Sequence, residues 1–388
     1  MASGSRWCSP VRSFDVIDLD ANATLGMLPV AWEALRSAPG GNASSVHGQG
    51  RAARQVVEAA RERCAALLGA LPEEVFFTSG ATEANNWAIH GALEAAGRGA
   101  GIILSPLEHP CVVEPVRVWQ QRGVPVHWWP VEERGVVRLE PVPPGVRLVC
   151  LMLANHETGA VQPVADLAAT LPPEVHLHCD AAQAVGKIPV HFHRLGVTTL
   201  SVSGHKFGGP IGVGLLLVRR DCPLPPLLQG GPQQQGRRAG TEPAPLIAAM
   251  TAALEWMCQH QQQHRQHLRR LREHLWHRLQ AAAAPVFLNG PGLADEDVVP
   301  NTLNVSFPGC RGDLLVLALD LVGVPCSTGA ACSSGSLLPS PTLEAMQVGP
   351  ERLRSAVRFS FSPLHTLEQI DEAAERIIAT VRRLRAKP

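Results

Sequence analysis

The chain has 388 residues, 45% of them hydrophobic and 18% charged, and its 34 basic side chains balance its 34 acidic ones. A net charge of zero, with the charges dispersed, excludes a strongly basic surface for nucleic acid or an anionic membrane. No apolar run reaches the length of about 18 residues that a transmembrane helix needs. Residues 1–8 lack the apolar core of a secretory signal, so we expect a cytoplasmic globular protein.

Ten cysteines are scattered along the chain, and no two of them form a C-x-x-C pair. This pattern argues against zinc ribbons and disulfide scaffolds and is typical of a reducing compartment. Cys64 falls in a predicted helix, and Cys150 and Cys179 fall in predicted strands. We interpret these three as buried apolar side chains.

The first two thirds of the chain alternate between predicted helices and strands. Helical spacing covers 51–70 and stops at Gly69. Apolar strands are predicted near 75–77, 101–105, 125–129, 147–153, 175–179, 198–203 and 213–218, and helices near 81–96, 110–122 and 163–170. Continuous apolar strands separated by helices indicate an α/β fold with a mostly parallel seven-stranded sheet. The last strand follows a glycine-rich segment, so we expect it to return antiparallel.

A Pro-, Gly- and Gln-rich loop over 219–245 leads into one long predicted helix, from about 244 to 284. A smaller α+β region follows. Its predicted strands are near 302–307 and 355–361, its helices near 312–322 and 366–385, and a Ser/Gly/Pro-rich loop covers 327–342. We place a large domain at 15–255 and a small C-terminal domain at 256–388, with residues 1–14 as candidates to pack on the small one.

Three histidines of the long helix, His260, His264 and His267, lie at positions i, i+4 and i+7. Two such imidazoles can hold a metal ion, but no carboxylate lies in register with them, and leucines mark the buried stripe of the helix. We interpret the histidines as a solvated polar face and predict no metal site.

The segment 76–85 (FFTSGATEAN) runs from an apolar strand through a glycine turn into a helix. Free backbone N–H groups and the helix dipole make such a junction a candidate anion site, to which Thr82 can add a hydroxyl. The alternative is an ordinary capped turn between a strand and a helix.

Asp180 stands at the carboxyl end of the predicted strand 175–179, where ligands of open α/β sheets bind. A carboxylate in such a place needs a cationic partner, and a protonated pyridine nitrogen would serve. The charged ring is then an electron sink for a carbanion at a substrate α-carbon. The alternative is that Asp180 caps the helix that follows.

Lys206 lies in the segment 201–210 (SVSGHKFGGP), directly after an apolar run and among hydroxyls, a histidine and glycines. A crowded, desolvated amine loses affinity for its proton and can form a Schiff base with a carbonyl. The alternative is an exposed loop lysine. An anion site, a carboxylate at a strand end and such a lysine together indicate pyridoxal 5'-phosphate (PLP) as the cofactor.

The chain resembles the NifS/IscS-like cysteine desulfurases, which are class V aminotransferases of the PLP-dependent transferase fold type I. The resemblance covers nearly the whole chain. It rests on ordered matches at 19–24, 41–47, 78–83, 108–109, 154–159, 180–183, 203–206, 238–242, 327–334 and 358–361.

The resemblance implies a role for each matching residue. Lys206 would carry PLP, Asp180 would pair with its ring nitrogen, and Gln183 would bond its phenolic oxygen. His109 would stack on the ring and can pass protons. The residues expected at the phosphate are Ala81, Thr82, Ser203 and His205, together with Thr241 reaching over from a neighbouring subunit, which implies a homodimer.

Arg358 and Asn155 are the residues that we expect to bind the α-carboxylate of the substrate, L-cysteine. Arg358 lies in a predicted strand, and a buried arginine needs an anion. A structural ion pair is the alternative for this arginine.

Cys332 is the predicted sulfur carrier, because it lies in a Ser/Gly-rich loop that can deliver a thiolate to the site. The expected reaction gives L-alanine and a persulfide on Cys332, for transfer to an acceptor such as an iron–sulfur scaffold. Cys326, just before the loop, we interpret as structural.

Alternatives remain open at this point: a selenocysteine lyase, an aminotransferase or epimerase acting on another amino acid, or a binding protein that has lost its cofactor. The chain also departs from the common pattern. His156 replaces a usual asparagine, Leu25 replaces a usual threonine, and the loop around Gln235 lacks a usual Glu-Arg.

Overall fold

The computed structural model describes residues 15–97, 99–328 and 339–386. Seven strands form the main sheet in the order β1-β7-β6-β5-β4-β2-β3. Their bounds are β1 Val75–Thr78, β2 Gly101–Leu104, β3 Val126–Trp128, β4 Val146–Cys150, β5 His176–Asp180, β6 Thr199–Ser203 and β7 Gly214–Val218. Strands β2 to β6 run parallel to one another, and β7 runs antiparallel to both β1 and β6. The α/β fold and the antiparallel return are therefore confirmed.

Helices cover both faces of this sheet, which is why its strands read as continuous apolar runs. The helices of this region are α1 Pro29–Ser37, α2 Gly48–Leu68, α3 Ala81–Ala96, α4 Pro110–Gln121, α5 Val164–Thr170, α6 Phe192–Leu195 and α7 Ala244–Gln259. Alternate residues of β7 divide between two cores. Leu216 packs with Trp87 of α3, whereas Leu217 belongs to the core that includes α2 and α7.

A second, smaller sheet is antiparallel, in the order β10-β9-β8. Its strands are β8 Phe287–Asn289, β9 Thr302–Ser306 and β10 Ala356–Ser360. The helices that accompany it are α8 Gln261–Ala282, α9 Gly312–Asp320, α10 Pro341–Ala345, α11 Pro350–Arg354 and α12 Leu367–Arg385. This region has its own core, which Ile17 and Leu19 from the start of the chain also join. The domain boundary between 255 and 256 stays a prediction.

Two sequence-based expectations were wrong. The single helix over 244–284 is two helices, because His260 leaves the helical conformation at φ −103° and ψ 11°. His264 is also buried, not solvated, since its ring packs on Trp256 with centroids 4.6 Å apart.

The described residues hold no cluster of three or more His, Cys, Asp and Glu side chains arranged to bind a metal ion. Among the described helices, none has both the length and the hydrophobicity to cross a bilayer.

Candidate active site

A cavity of about 410 Å³ opens where the carboxyl ends of β5 and β6 meet the start of α3. The parallel strands bring their ends to one edge of the sheet, so motifs far apart in sequence converge there. Nine of the predicted site residues line the cavity: Ala81, Thr82, His109, Asp180, Gln183, Ser203, His205, Lys206 and Arg358.

Two of the predicted residues that the structure describes, Asn155 and Thr241, do not line this cavity. Asn155 is fully buried, and its amide binds within its own turn (Glu157 N, Thr158 N) and to Leu107 O. Thr241 is exposed in the loop before α7. Cys332 lies outside the described residues.

Lys206 is presented by a single 3₁₀ turn, Gly204–Phe207, that follows β6. The turn ends at Gly208, whose φ of +84° suits glycine, and a Cβ there would lie 2.5 Å from Leu28 Cγ. The Nζ of Lys206 donates to the carbonyl oxygens of Asn22 and Ala23, at 2.8 and 3.0 Å. Asn22 and Ala23 also line the cavity, so the amine lies in the cavity wall.

Asp180 is the last residue of β5 and is 6% exposed. Its Oδ2 accepts a hydrogen bond from Asn85 Nδ2 at 2.8 Å, and its Oδ1 accepts one from the backbone N–H of Ala182 at 2.9 Å. None of the ion pairs between described residues involves Asp180. A buried carboxylate that has hydrogen bonds but no cation fits a protonated ring nitrogen.

The start of α3 fits a phosphate. Its N-cap is Gly80, which has no side chain to cap the first N–H groups, so these can meet an anion. The backbones of Gly80 and Gly214 approach closely: a Cβ on Gly214 would lie 2.7 Å from Gly80 Cα. Glu83 of α3 accepts two hydrogen bonds from Arg238 at 2.8 and 2.9 Å, which ties the loop before α7 to this turn.

His205, also expected at the phosphate, has Nδ1 at 3.0 Å from the hydroxyl of Thr24. Burial, followed by repulsion from the amines of Lys206 and Lys187, lowers the pKa of its imidazole to about 4. His205 is therefore neutral at physiological pH in the absence of an anion.

Gln183 lines the cavity and belongs to a buried hydrogen-bonded cluster with Asn22 and Lys187. Its Nε2 donates to Asn22 O at 3.0 Å, and its Oε1 accepts from Lys187 Nζ. Lys187 also donates to Asn22 Oδ1 at 2.9 Å and is 5% exposed. Burial, then repulsion from Lys206 and Arg358, holds the pKa of Lys187 well below its usual range. An amine without its extra proton can still donate to these two oxygens.

His109 caps α4, and its Nδ1 accepts from the backbone N–H of Cys111 at 3.2 Å. The Sγ of Cys111 lies 2.9 Å from the same nitrogen. His156 meets His109 edge to face, with ring centroids 5.6 Å apart. Burial, then the charges of His109, Arg358 and Lys206, lowers the pKa of His156 well below its usual range. The cavity wall therefore carries a second, neutral imidazole.

Arg358 reaches the cavity from β10 of the smaller sheet. Its Nη2 donates to Asp20 Oδ1 at 2.6 Å, and its Nη1 donates to His156 O at 3.0 Å. The ion pair that the sequence left open as an alternative is thus present. However, the Nε of Arg358 is buried and has no hydrogen-bond partner among the described residues. A guanidinium that lines the cavity suits a carboxylate ligand.

Sequence reasoning missed the residues that hold the predicted ones in place. Asn22 and Asn85 lie inside recognised motifs, but neither was assigned a role. Lys187 and His178 were not considered as site residues. The only signal was their nearness in sequence to Asp180 or to a motif. Lys187 and Asn22 are 165 residues apart, and Asn22 and its partner Thr302 are 280 apart, distances that sequence patterns do not cover.

Comparison with known proteins places the chain in a family. The model of the family described as aminotransferase class-V matches residues 19–373. The cysteine desulfurase IscS of Dictyoglomus turgidum is 37% identical, over 94% of this chain and 95% of its own length. A cysteine desulfurase of Cereibacter sphaeroides is 40% identical, over 95% and 96%.

A solved structure titled NIFS-like protein superposes with a TM-score of 0.88 at 34% identity, covering 95% of this chain and 100% of its own. The fold, the cavity and the sequence relatives therefore agree. This family depends on PLP, and the buried carboxylate, the open helix start and the lysine of this cavity fit that cofactor. The chain belongs to the class-V aminotransferase family, among the NifS/IscS-like cysteine desulfurases.

Proposed function

We propose that the protein is a PLP-dependent cysteine desulfurase, which takes the sulfur of L-cysteine, releases L-alanine and holds the sulfur as a persulfide on Cys332. The observation that carries the proposal is the meeting of Lys206 and Asp180 in one cavity, where the buried carboxylate forms no ion pair with any residue that the structure describes. Family membership supports the same reaction.

The proposal assigns the cofactor contacts to residues of the cavity. Asp180 would hold the ring nitrogen, Lys206 the aldehyde carbon and Gln183 the phenolic oxygen, while His109 lies beside the ring. The phosphate would be held by Ala81, Thr82, Ser203 and His205. When bound, PLP supplies an electron sink for charge at the substrate α-carbon.

Arg358 would bind the α-carboxylate of L-cysteine. Its position in the cavity lining supports this role, and its Nη2 contact with Asp20 keeps the guanidinium oriented before substrate enters. Asn155 would have to leave its own turn to assist, so we assign the carboxylate to Arg358 first.

Lys206 and His109 are the candidates to move the α-proton. The neutral His156 beside His109 adds no positive charge to this part of the cavity wall. The Cys332 thiolate then attacks the substrate sulfur. A sulfur–sulfur bond forms, the carbon–sulfur bond breaks, and its electron pair is protonated on carbon to give alanine.

We further propose a homodimer in which the exposed Thr241 completes the phosphate site of the other subunit. The persulfide would pass to an acceptor protein, for which an iron–sulfur scaffold is our candidate.

The test is mass spectrometry of the PLP-loaded protein after incubation with L-cysteine. We expect one added sulfur on the peptide that contains Cys332, stoichiometric alanine, and none of either in Cys332→Ser. Cys326→Ser is the matched control, because Cys326 is buried and burial raises the pKa of its thiol. Persulfide on another cysteine, or a keto acid as product, would contradict the proposal. Equal turnover of L-selenocysteine by Cys332→Ser would show that the lyase activity does not need the thiol.

A further inference from the structure

The strand that ends in Asp180 carries two histidines on the same face as the carboxylate. His176, His178 and Asp180 alternate along β5, so their side chains point to one side of the sheet, towards α3. Thr199 of β6 is the register partner of His178. All of these side chains except that of His176 are buried. The sequence analysis gave the histidines no role, and the proposed reaction does not use them.

An unbroken series of hydrogen bonds joins these side chains to Asp180. His176 Nε2 lies 2.8 Å from Thr199 Oγ1, and the same hydroxyl lies 2.9 Å from His178 Nδ1. His178 Nε2 lies 2.9 Å from Asn85 Oδ1, and Asn85 Nδ2 donates to Asp180 Oδ2 at 2.8 Å. At the far end, Cys222 Sγ lies 3.7 Å from His176 Nδ1.

The chemistry of the groups sets one direction for this series. An ionised Asp180 only accepts, so the amide nitrogen of Asn85 faces it and the amide oxygen faces His178. That oxygen requires a proton on His178 Nε2, which leaves Nδ1 of a neutral ring as an acceptor for the Thr199 hydroxyl. The hydroxyl has one proton, so His176 Nε2 must donate to it. Every donor in the series therefore points towards Asp180.

The two rings are neutral, as this direction requires. Burial lowers the pKa of His178 to about 3 and that of His176 to about 4, with repulsion between the rings adding to the shift for His178. A series of aligned donors strengthens each bond in a medium of low dielectric constant. If the amide of Asn85 turned over, its oxygen would face the carboxylate and repel it.

We propose that Thr199 and His178 are positioning residues that, through Asn85, keep the carboxylate of Asp180 aimed at the ring nitrogen of the cofactor. This inference rests on the proposed function, because it concerns the carboxylate that holds PLP. It predicts that removing the Thr199 hydroxyl frees His178 to change tautomer and so weakens the contact between Asp180 and the ring nitrogen, even though Thr199 touches neither.

The test compares two cofactors in matched variants. Thr199→Val removes the hydroxyl at constant shape, Thr199→Ser retains it, and Ser201→Ala removes a buried hydroxyl that has no hydrogen-bond partner among the described residues. The affinity of each apoprotein is measured for PLP and for the PLP analogue whose ring nitrogen is replaced by carbon. We expect Thr199→Val to bind PLP roughly tenfold more weakly, the scale of one hydrogen bond to a charged group. Its affinity for the analogue should equal that of wild type.

Thr199→Ser and Ser201→Ala should bind both compounds as wild type does. An equal loss for both compounds in Thr199→Val would mean a general packing defect, and an unchanged PLP affinity would mean no coupling; either result overturns the inference. If wild type binds PLP no better than the analogue, Asp180 does not hold the ring nitrogen and the proposed function itself is wrong.

A measurement on the unaltered protein keeps the inference testable should Thr199→Val fail to fold. In nitrogen NMR of the histidine-labelled chain, the resonances that disappear in His178→Gln and in His176→Gln identify the two rings. Both are expected to carry their proton on Nε2 and to show no titration between pH 6 and 8. A proton on Nδ1 of His178 would overturn the direction of the series.

Discussion

The two ends of the cavity stabilise buried ionisable groups in different ways. At the carboxylate end, Asp180 is held by side chains from α3, β5 and β6, each a hydrogen-bond donor to the next. At the amine end, oxygen atoms of one residue, Asn22, accept from Lys206, Lys187 and Gln183. Neither Asp180 nor Lys187 takes part in an ion pair between described residues.

This difference indicates how each end of the cavity should respond to the loss of one hydrogen-bonding side chain. The carboxylate end spreads its support over several elements, so the loss of one weak contact should have a small effect. At the amine end, one side chain, that of Asn22, accepts from Lys187 and Asn301 and donates to Thr302, so its loss should affect several buried groups together. Substitutions at both ends of the cavity test this contrast, beginning with Lys206.

Lys206→Ala should have the largest effect. Without the amine that we propose to carry the cofactor, we expect alanine formation from L-cysteine to fall by at least about 10³-fold. Borohydride reduction of the PLP-loaded wild type should tag Lys206, as located by peptide mass spectrometry. Lys187→Met is the matched control and should still be tagged at Lys206. A tag on Lys187 in the wild type would contradict the assignment.

Asn22→Ala should produce the next largest effect. It removes the side-chain acceptor of Lys187 and the donor to Thr302 Oγ1, both buried. We expect the free energy of unfolding to fall by about 2 to 4 kcal/mol, since buried polar groups lose their partners. Denaturation in urea measures it. Asn42→Ala, in an exposed loop, should change the value by no more than about 0.5 kcal/mol. If Asn22→Ala and Asn42→Ala lost equal free energy of unfolding, the amine end would not depend on the side chain of Asn22, and the contrast between the two ends would be wrong.

Glu108→Gln tests the carboxylate end through pH. Burial, aided by the negative charge of Asp180, raises the pKa of Glu108 from 4.5 to about 8 against the lowering effect of a hydrogen bond from Met152 N–H. The folded protein therefore keeps a proton that the unfolded chain has lost, and this group's contribution to stability decreases as pH rises from about 4.5 to 8.

Glutamine imitates the protonated acid at every pH. Relative to wild type, Glu108→Gln should therefore gain stability between pH 5 and pH 8, at up to roughly 1.4 kcal/mol for each pH unit. Unfolding in urea at several pH values measures the difference. Glu62→Gln, at an exposed position of α2, should show a difference that is constant with pH. A constant difference for Glu108→Gln would mean that the acid is ionised in the fold.

Cys111→Ala should have the smallest effect. Its sulfur accepts from Asn85 Nδ2 at 3.0 Å and contacts His109 Nδ1, but thiols form weak hydrogen bonds. We expect PLP affinity to fall by about twofold, with Cys111→Ser close to wild type. Cys258→Ala, in α7 away from the cavity, is the control and should leave the affinity unchanged. A loss above tenfold in Cys111→Ala would mean that the carboxylate end also depends on single contacts.

The amino-acid sequence by itself determined the type of fold and the residues that we propose to hold the cofactor. Period and composition predicted the seven strands, and Asp180 and Lys206 were found because each lies at or just beyond the carboxyl end of a predicted strand. In a parallel sheet such positions meet at one edge, so strand order was not needed to bring them together.

Only the tertiary structure decided what supports those groups. The ion pair of Arg358 with Asp20 joins residues 338 positions apart, and the break at His260 gives the aromatic ring of Trp256 a buried imidazole to pack on. The same holds for the link from Thr199 through His178 and Asn85 to Asp180. Local patterns record which face of an element is buried, whereas the partner of each buried polar atom depends on how distant elements pack.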